Sequence, residues 1–375
     1  MKHGIVSRTA QGMFRYQGWP TVCKDENGVL YAASSGHRLT HVCPFGKNYL
    51  FISRDDGETW TPPMIINDSQ LDDRDAGILH MGNGEMLMTY FSHNRSFYYQ
   101  PERLKRYHEK LDPLRAELAL GLLNAWKSIS DDDPTVDQGG AFVRLSHDGG
   151  MTWDKAIQVP LTSPHGPTLL ANGKLLYLGK YRPDGSYPQI RSCPIVAYES
   201  ADGGRTWKQL AQLTLPEGAD RNDWHEPHAV ELPDGSILGG IRVHMNTPEI
   251  KPFTIYLTYS YDGGKTWTVP TPTGISGSPP HFTVHSSGAI VMTYARRDEK
   301  PGEYARISYD NGKTFGNEIV LDDRAEDWDL GYPSTVELSD GSLMTVYYQK
   351  NPGDNYCSIL YTKWTLEEGK AYDQI

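Results

Sequence analysis

The sequence predicts an all-β fold built from repeated hairpins, and three observations support this prediction. The 375-residue chain contains 37 glycines, 25 prolines, 23 tyrosines and 9 tryptophans, a mixture that favours many short strands over helices. One short turn motif recurs along the chain, and so does a longer hairpin-like phrase. Repeats of this kind indicate one large β-architecture, so we expect a single domain over residues 1–375.

The turn motif has the form S-x-D-x-G-x-T-W/F, and its five copies begin at Ser53, Ser146, Ser200, Ser260 and Ser308. Within a β-hairpin turn, the aspartate can accept hydrogen bonds from backbone N–H groups and the glycine tolerates a positive φ. The closing aromatic ring can pack against a neighbouring element. We therefore predict a structural, non-catalytic role for the five aspartates, which are Asp55, Asp148, Asp202, Asp262 and Asp310.

The second repeat consists of a proline-like position, an apolar stretch, a turn glycine and a return strand. Its six copies open with the letters GWP, RDAG, HGP, HEP, SPP and GYP. Six such inner hairpins, each joined to an outer hairpin, predict a six-bladed β-propeller. The last copy is followed by the apolar stretch CSILYTKWTL without a turn motif. We expect the N-terminal strand near HGIVSRT to complete the sixth blade and remove its open edge.

The interval between the turn motifs at Ser53 and Ser146 is longer than the later intervals. Its excess corresponds to residues 101–133, where Asp112 precedes Pro113 and leucines recur at helical spacing. We predict a helical insertion in blade two that acts as a lid or packing element, with partner docking as the alternative.

Charge and cysteine content limit the classes of partner. The formal net charge is -11 and there is no basic run, so we expect neither nucleic acid nor a membrane as partner. No segment reads as a transmembrane span, a signal peptide or a cofactor site. The scattered cysteines (Cys23, Cys43, Cys193 and Cys357) predict reduced thiols of a cytoplasmic protein, with a secreted form lacking its leader as the alternative.

The candidate functional site lies where the inner strands reach one face of the propeller. The turns of the repeats are alike, whereas the residues expected at this face diverge into charged and aromatic types, which indicates a functional rim. The positions before the proline-like site hold Trp19, Asp75, Gly166, Glu226, Pro279 and Tyr332. The preceding positions and the ends of the return strands add Arg74, His165, His225, Arg38, Arg242, Arg296 and Arg297.

Tyr332 and Glu226 occupy equivalent positions and carry complementary chemistry. A tyrosine hydroxyl has a pKa near 10, so it needs an adjacent base to act as a nucleophile. A neutral tyrosine also suits a substrate with a carboxylate beside the reacting carbon, because two anions would repel each other. We therefore pair the two residues, with a capping or salt-bridged Glu226 as the alternative.

The turn motif resembles the Asp-box of the sialidase superfamily, and we use that name below. The phrases HEPHAVELPDG and GYPSTVELSDG resemble that family's catalytic pairing. The resemblance covers almost the whole chain, and it implies a sialidase-like exo-glycoside hydrolase that acts on a terminal, acidic sugar of a glycan. It further implies that Tyr332 is the nucleophile, a role known in sialidases. Glu226 would be its base, and Arg242 would bind the carboxylate bidentately.

The sequence departs from the family in blade one. Sialidases carry an Arg-Ile-Pro motif there, whereas this chain has GWP, with Gly18 at the arginine's position. The loop SSGHRLTHVCPFGKN also lacks the aspartate that acts as the general acid in the family. We expect Asp75 to replace that acid, or else to form a salt bridge with Arg74, and we expect Trp19 to provide a stacking surface for a sugar.

The remaining expected substrate-binding residues are Arg38, Arg74, His165, His225 and, as the arginine of blade five, Arg296 in preference to Arg297 or Arg306. Two other function classes fit the same residues. A uronate lyase would use His165 or His225 as base, with a tyrosine acid and an arginine. A lectin-like propeller would bind carbohydrate without turnover.

Overall fold

The chain folds into six antiparallel sheets arranged as the blades of a β-propeller. A computed structural model describes residues 1–129, 139–183, 192–244 and 253–368. Five sheets have four strands, and the third has five because its innermost strand is divided in two. This architecture confirms the predicted fold class. In each blade, the two inner strands are the predicted hairpin of the second repeat.

The strands of blades one to three follow one another along the chain. Blade one contains β2 (Tyr16–Lys24), β3 (Leu30–Arg38), β4 (Lys47–Ser53) and β5 (Met64–Asn67). Blade two contains β6 (Arg74–His80), β7 (Met86–Ser92), β8 (Gly140–Ser146) and β9 (Ile157–Val159). Blade three contains β10 (Leu161–Thr162), β11 (Thr168–Leu169), β12 (Leu175–Tyr181), β13 (Ile195–Ser200) and β14 (Lys208–Gln212).

Blades four to six continue this order until the N-terminal strand completes the ring. Blade four contains β15 (Trp224–Glu231), β16 (Ile237–Val243), β17 (Thr254–Ser260) and β18 (Thr271–Ser276). Blade five contains β19 (His281–Val284), β20 (Ile290–Arg296), β21 (Gly302–Ser308) and β22 (Ile319–Asp322). Blade six contains β23 (Gly331–Glu337), β24 (Leu343–Lys350), β25 (Cys357–Trp364) and β1 (Lys2–Ser7).

Strand β1 closes the propeller, as predicted. It pairs antiparallel with β25, so that the first strand of the chain is the outermost strand of the last blade. The contact covers the edge that β25 would otherwise expose. Short 3-10 helices occur at Arg95–Phe97 and Arg221–Asp223.

The Asp-boxes join the third and fourth strands of blades one to five, on the face opposite the functional rim. In the second copy, Asp148 Oδ1 accepts a hydrogen bond from the Thr152 backbone N–H at 2.8 Å, and Asp148 Oδ2 accepts one from the Thr152 hydroxyl at 2.6 Å. Ser146 Oγ accepts from the Gly150 N–H at 2.9 Å. The other four copies repeat these contacts. The predicted structural role of the five aspartates is confirmed.

The innermost strands share a backbone distortion near the functional rim. Positive φ angles occur at the equivalent position of five blades, namely at Trp19, Asp75, Gly166, Glu226 and Tyr332. In blades one, two, four and six, the strand register shifts around this residue, as a β-bulge does. A left-handed backbone costs a residue with a Cβ about 1–3 kcal/mol, so the fold holds these side chains at the rim against local strain.

The insertion of blade two forms two helices, α1 (Pro101–Lys110) and α2 (Pro113–Ile129). Asp112 caps α2 by accepting a hydrogen bond from the Arg115 backbone N–H at 3.1 Å, which confirms the predicted helix start. Leu123 is buried against blade one, whereas Leu114 is exposed. Residues 130–133 of the predicted insertion lie outside the described residues. The helices act as a packing element for the blade-one loop.

Cys23, Cys43 and Cys357 are free thiols, and Cys43 and Cys357 are buried. None of the helices within the described residues has the length and apolar character needed to cross a membrane.

Replacement of Asp148 by alanine should lower the free energy of unfolding, because the Asp-box turn loses both hydrogen bonds that the carboxylate accepts from Thr152. Urea unfolding of the variant and the wild type measures this loss. Asp154, whose carboxylate forms only an exposed contact with His147, is the matched control, and its replacement by alanine should change stability by less than about 0.5 kcal/mol. Equal losses in the two variants would contradict the structural role of the Asp-box.

Candidate active site

Tyr332, Glu226 and Arg242 form one hydrogen-bonded group at the rim. The Tyr332 hydroxyl donates to Glu226 Oε1 at 2.7 Å. Arg242 Nη1 donates to Glu226 Oε2 at 2.5 Å and to the Tyr332 hydroxyl oxygen at 3.2 Å. Arg242 reaches this position because it lies opposite His225 in the hairpin of β15 and β16. The structure therefore brings together three residues that the sequence placed on the same face of the propeller, Glu226 and Tyr332 at equivalent positions and Arg242 at the end of a return strand.

The electrostatics of this group keep the tyrosine protonated and the glutamate ionised. Burial raises the pKa of Tyr332 well above its usual value, and the Glu226 charge raises it further. Burial also disfavours the Glu226 charge, but the Arg242 guanidinium and the hydrogen bonds from Tyr332 and Arg242 outweigh it, so the pKa of Glu226 is lowered. An ionised carboxylate thus accepts a hydrogen bond from the hydroxyl of a neutral tyrosine, with 2.7 Å between the two oxygens. This is the geometry that a general base requires.

A cavity of about 250 Å³ opens beside this group, and Glu226, Arg242 and His225 lie in its wall. Asp75 lines the same cavity from blade two. Burial, reinforced by the Glu226 charge, raises the pKa of Asp75 to about 7, although Arg74 opposes the shift. Asp75 Oδ1 is buried and has no hydrogen-bond partner among the described residues. Asp75 therefore presents a carboxyl group that can hold a proton near neutral pH.

Asp75 and Arg74 do not form the salt bridge that was the alternative for Asp75. Arg74 Nη1 instead donates to Asp72 at 3.3 Å and to the His41 carbonyl oxygen at 3.2 Å. The Arg74 guanidinium also lies 4.4 Å from the centre of the Trp19 ring.

Two residues expected to bind substrate lie inside the protein. Trp19 is only 2% exposed, because Arg74 covers one face and Tyr348 packs against the ring, so it offers no stacking surface to a sugar. Arg38 is completely buried and donates to both carboxylate oxygens of Asp72, at 2.5 and 2.9 Å. These two expectations are corrected: both residues support the rim from behind.

In blade five, the structure brings Arg297 to the site and directs Arg296 away from it. Arg296 pairs with Asp298 at 3.0 Å and with Glu318 at 2.6 Å. The Arg297 guanidinium lies 5.9 Å from the centre of the Tyr332 ring and donates to the carbonyl oxygens of Ser278 and Leu330. The preference for Arg296 is therefore corrected, since neighbouring residues at the end of a strand face opposite sides.

The two histidines expected at the rim have different surroundings. His225 lines the cavity, whereas His165 lies below it, with its ring centre 6.5 Å from that of Tyr332. His165 contacts His228 and His281, and all three are buried around the centre of the propeller. Burial lowers the pKa of each of them, that of His228 to about 3. His165 is thus a neutral residue of the core and is not presented to substrate.

Within the four described ranges, no cluster of three or more His, Cys, Asp or Glu side chains is arranged to hold a metal ion. His37 stacks on Phe14, and Cys43 is buried in the blade-one loop. Sequence reasoning also missed the contact between His41 and Asp329, whose side chains meet at 2.8 Å. The proximity of these two residues in space has no signal in the repeat pattern.

The central histidines predict a dependence of stability on pH. A histidine whose folded pKa is depressed is neutral in the native state and protonated in the unfolded chain below about pH 6.5, so its contribution to stability is lost as the pH falls. Between pH 6.5 and 5, one such residue costs up to about 2 kcal/mol. We expect His228→Asn, which keeps an acceptor for the Phe282 N–H, to reduce the acid-induced loss of stability relative to wild type.

Thermal or urea unfolding at pH 7.5 and pH 5 measures this difference. His147 is the control, because the hydrogen bonds that its ring donates to Asp154 and Glu85 raise its pKa and give it the opposite pH dependence. Replacement of His147 by asparagine should therefore not reduce the loss at pH 5. The same acid loss in wild type and His228→Asn would contradict the assignment.

Solved structures share the fold over nearly the whole chain. A protein of unknown function from Dyadobacter fermentans superimposes with a TM-score of 0.74 and 22% identity, covering 96% of this chain and 97% of that one. The NanB sialidase from Streptococcus pneumoniae superimposes with a TM-score of 0.69 and 12% identity, covering 97% of this chain and 71% of that one.

Sequence comparison gives the family. A sialidase from Paraclostridium sordellii is 24% identical over 230 residues, which is 54% of this chain and 56% of that sialidase. The match therefore spans little more than half the length of this relative. The model of the BNR repeat-like domain matches residues 132–345, which is more than half of the chain. The chain therefore belongs to the BNR repeat-like family and is a divergent member of the sialidase superfamily.

Proposed function

We propose that this protein is an exo-glycoside hydrolase that removes a terminal, acidic sugar from a glycan. The observation that carries the proposal is the hydrogen bond from the Tyr332 hydroxyl to Glu226, with Arg242 bonded to both residues. The sialidase-like fold and the relative from Paraclostridium sordellii support it.

In the first step, the Tyr332 oxygen attacks the anomeric carbon and Glu226 takes the hydroxyl proton. The raised pKa of Tyr332 keeps its hydroxyl protonated and weakly nucleophilic, and transfer of the proton to Glu226 during the attack makes the oxygen nucleophilic. The bond between the anomeric carbon and the leaving oxygen breaks, and Asp75 gives its proton to that oxygen. Water then attacks the sugar–tyrosine intermediate, and the protons return to Tyr332 and Asp75.

The charge of the site favours an anionic substrate. The cavity beside Glu226 is lined by the cations Lys180, Arg182 and Arg242, against the carboxyl groups of Asp75 and Glu226. Arg297 adds a further cation beside Tyr332, and it donates hydrogen bonds to the carbonyl oxygens of Ser278 and Leu330, which carry no charge that would neutralise it. We propose that Arg242 and Arg297 bind the carboxylate of the sugar, since guanidinium groups suit that geometry.

The lyase alternative finds less support in the geometry. It requires a histidine base at the substrate, and His165 is buried against two other histidines. His225 remains at the cavity, so the products decide between the two reactions. A lyase would release an unsaturated uronate that absorbs in the ultraviolet, whereas the hydrolase releases a saturated sugar.

We expect Tyr332→Phe and Glu226→Gln each to lower kcat on the best substrate of an acidic-glycoside panel by about 1,000-fold or more. The double variant should lose little beyond the worse single variant, because the two residues act as one unit. Steady-state kinetics of the four proteins, with unfolding curves to verify folding, measure both effects.

Near-normal rates in both single variants would sink the proposed mechanism. A binding-only propeller would instead show retained sugar binding in the variants and no turnover of any glycoside by the wild type.

Arg297 and Arg296 provide a matched pair for the carboxylate. Arg297→Ala should raise KM for a carboxylate-bearing glycoside about 10- to 100-fold, because a charge-assisted hydrogen bond contributes about 1.5–3 kcal/mol. The same variant should change KM for an uncharged glycoside much less. Arg296→Ala removes an equal charge from the neighbouring position, where the side chain pairs with Asp298 and Glu318, and should leave both values close to wild type. Equal effects of the two substitutions would contradict the assignment of the carboxylate site.

A further inference from the structure

A second cavity, of about 490 Å³, lies in the groove between blades four and five. Its walls come from the Asp-boxes of both blades, the outermost strand β18 and the turn between β15 and β16. These elements place it towards the face opposite Tyr332, and the mechanism proposed above uses none of its side chains. Ligand cavities usually have volumes of about 300–1,000 Å³, so this one is large enough for a small molecule.

The repeated blades provide a comparison for this groove. The equivalent groove between blades one and two contains a smaller cavity, of about 300 Å³. There Arg144, two positions before the Asp-box serine, donates to the Ile66 carbonyl oxygen at 2.6 Å and so bridges blade two to β5. Arg306 has the equivalent position in blade five, but it donates to the Tyr294 hydroxyl at 3.0 Å and to the Gly316 carbonyl oxygen at 2.7 Å, both within its own blade. The arginine therefore crosses the groove between blades one and two, whereas the groove between blades four and five stays open.

Two tyrosines of blade four give the open groove an aromatic wall. Tyr259 reaches across to blade five, where its hydroxyl donates to the Gly312 carbonyl oxygen at 2.8 Å. Tyr261 is 73% exposed, and its ring is nearly parallel to that of Tyr259, with an angle of 10° and 6.4 Å between the ring centres. An exposed aromatic ring that lines a cavity can contact the apolar face of a sugar ring while the hydroxyls of the sugar bind polar groups nearby.

The facing wall of the groove carries such polar groups, namely Asp234, Asn311 and Lys313, and we call these three residues the polar wall. The hydrogen bonds that Ser236 donates lower the pKa of Asp234, and the nearby Asn311 amide lowers it further. Asp234 is therefore an ionised acceptor, the Lys313 ammonium is a donor, and the Asn311 amide is both. Because sugar hydroxyls both donate and accept hydrogen bonds, this combination suits a polyhydroxylated ligand.

The same positions hold different residues in the groove between blades one and two. The counterparts of Tyr261, Asn311 and Lys313 are Arg54, Gly149 and Met151, respectively. The turn geometry is thus shared by the two grooves, whereas the aromatic ring and two members of the polar wall are not. Divergence of surface residues on a common scaffold indicates a function for the groove between blades four and five that the Asp-box turn itself does not require.

We propose that the groove between blades four and five binds one sugar residue of a glycan, with the sugar ring stacked on Tyr261 and its hydroxyls hydrogen-bonded to the polar wall. The groove lies towards the face opposite Tyr332, so it does not hold the sugar at which the proposed cleavage occurs. It is a non-catalytic anchoring site that attaches the propeller to a glycan at a second point. The proposal goes beyond the hydrolase function and does not depend on it.

The binding test uses an array of neutral and acidic oligosaccharides, lactose and sialyllactose among them, and the Tyr332→Phe protein, in which turnover does not remove the ligand. Tyr261→Ala in this background should lower the affinity for at least one arrayed glycan about 5- to 20-fold, because one stacking contact is lost. Tyr309→Ala is the matched control and should stay within about twofold. Tyr309 has the same Asp-box position in blade five and is 57% exposed, but it lies outside the cavity.

A second variant removes one polar contact without strain in the backbone. Asn311 has a φ of 60°, and its counterpart Gly149 has a φ of 70°, so Asn311→Gly places glycine in a conformation that glycine adopts readily. This variant should unfold close to the parent protein and bind the same glycan about 3- to 10-fold more weakly, as expected for one hydrogen bond. If Tyr261→Ala and Asn311→Gly both bind every arrayed glycan as the parent does, or if Tyr309→Ala loses as much as Tyr261→Ala, the anchoring site is overturned.

Kinetics with a small aryl glycoside separate the anchoring site from the active site. Tyr261→Ala in the otherwise wild-type protein should keep kcat/KM for this substrate within about twofold, because the groove lies towards the opposite face. A large loss would overturn the anchoring role, since Tyr261 would then act on the active site or on folding. If no glycoside is hydrolysed but the array pattern holds, the hydrolase function fails and the anchoring site stands. If glycosides are hydrolysed and the array shows no difference between the variants, only the anchoring site fails.

Discussion

The whole site depends on one backbone constraint, the left-handed residue in the innermost strand of five blades. A regular strand would direct alternate side chains towards the two neighbouring blades, where they would be buried in the packing between sheets. The positive φ and the shifted register instead turn Asp75, Glu226 and Tyr332 towards the same end of the central funnel. Each of these residues has a Cβ, so its left-handed backbone is unfavourable by itself. The hydrogen-bonded strands around it hold the conformation in place. Only Gly166 in blade three adopts the conformation without that cost.

The same constraint sets the electrostatics of the site. Because Glu226 and Tyr332 arrive from different blades, their hydrogen bond forms only when the propeller is closed, and Arg242 compensates the charge that this closure buries. Burial disfavours charge at both residues. Glu226 stays ionised because Arg242 and the hydrogen bonds compensate its charge, whereas Tyr332 stays protonated because burial and the Glu226 charge raise its pKa. Burial raises the pKa of Asp75 to about 7, and the Arg74 charge opposes this shift only in part, because the Arg74 guanidinium donates its hydrogen bond to Asp72 instead.

The sequence predicted those features that a repeat determines. The Asp-box turns, the six inner hairpins, the closing strand and the convergence of Glu226 with Tyr332 all follow from aligned copies, because equivalent positions occupy equivalent places. Features that depend on a single blade were harder to predict. Arg296 and Arg297 are adjacent, and the direction of each depends on where β20 ends, which no other copy reveals. Arg38 forms a buried ion pair with Asp72, and His41 forms a hydrogen bond with Asp329, which lies 288 residues away in the sequence.

Blade one shows how the site differs from the family pattern that the sequence resembles. The position that carries an arginine in sialidases is Gly18, and a Cβ there would lie 3.4 Å from the rings of Tyr16 and Tyr348. The longer side chain of an arginine would have to displace these rings, which pack around Trp19. The cation nearest this region is Arg74, which reaches over Trp19 from blade two and is anchored to Asp72. Positive charge at the rim therefore comes from blades two to five, whereas blade one contributes the buried aromatic cluster around Trp19.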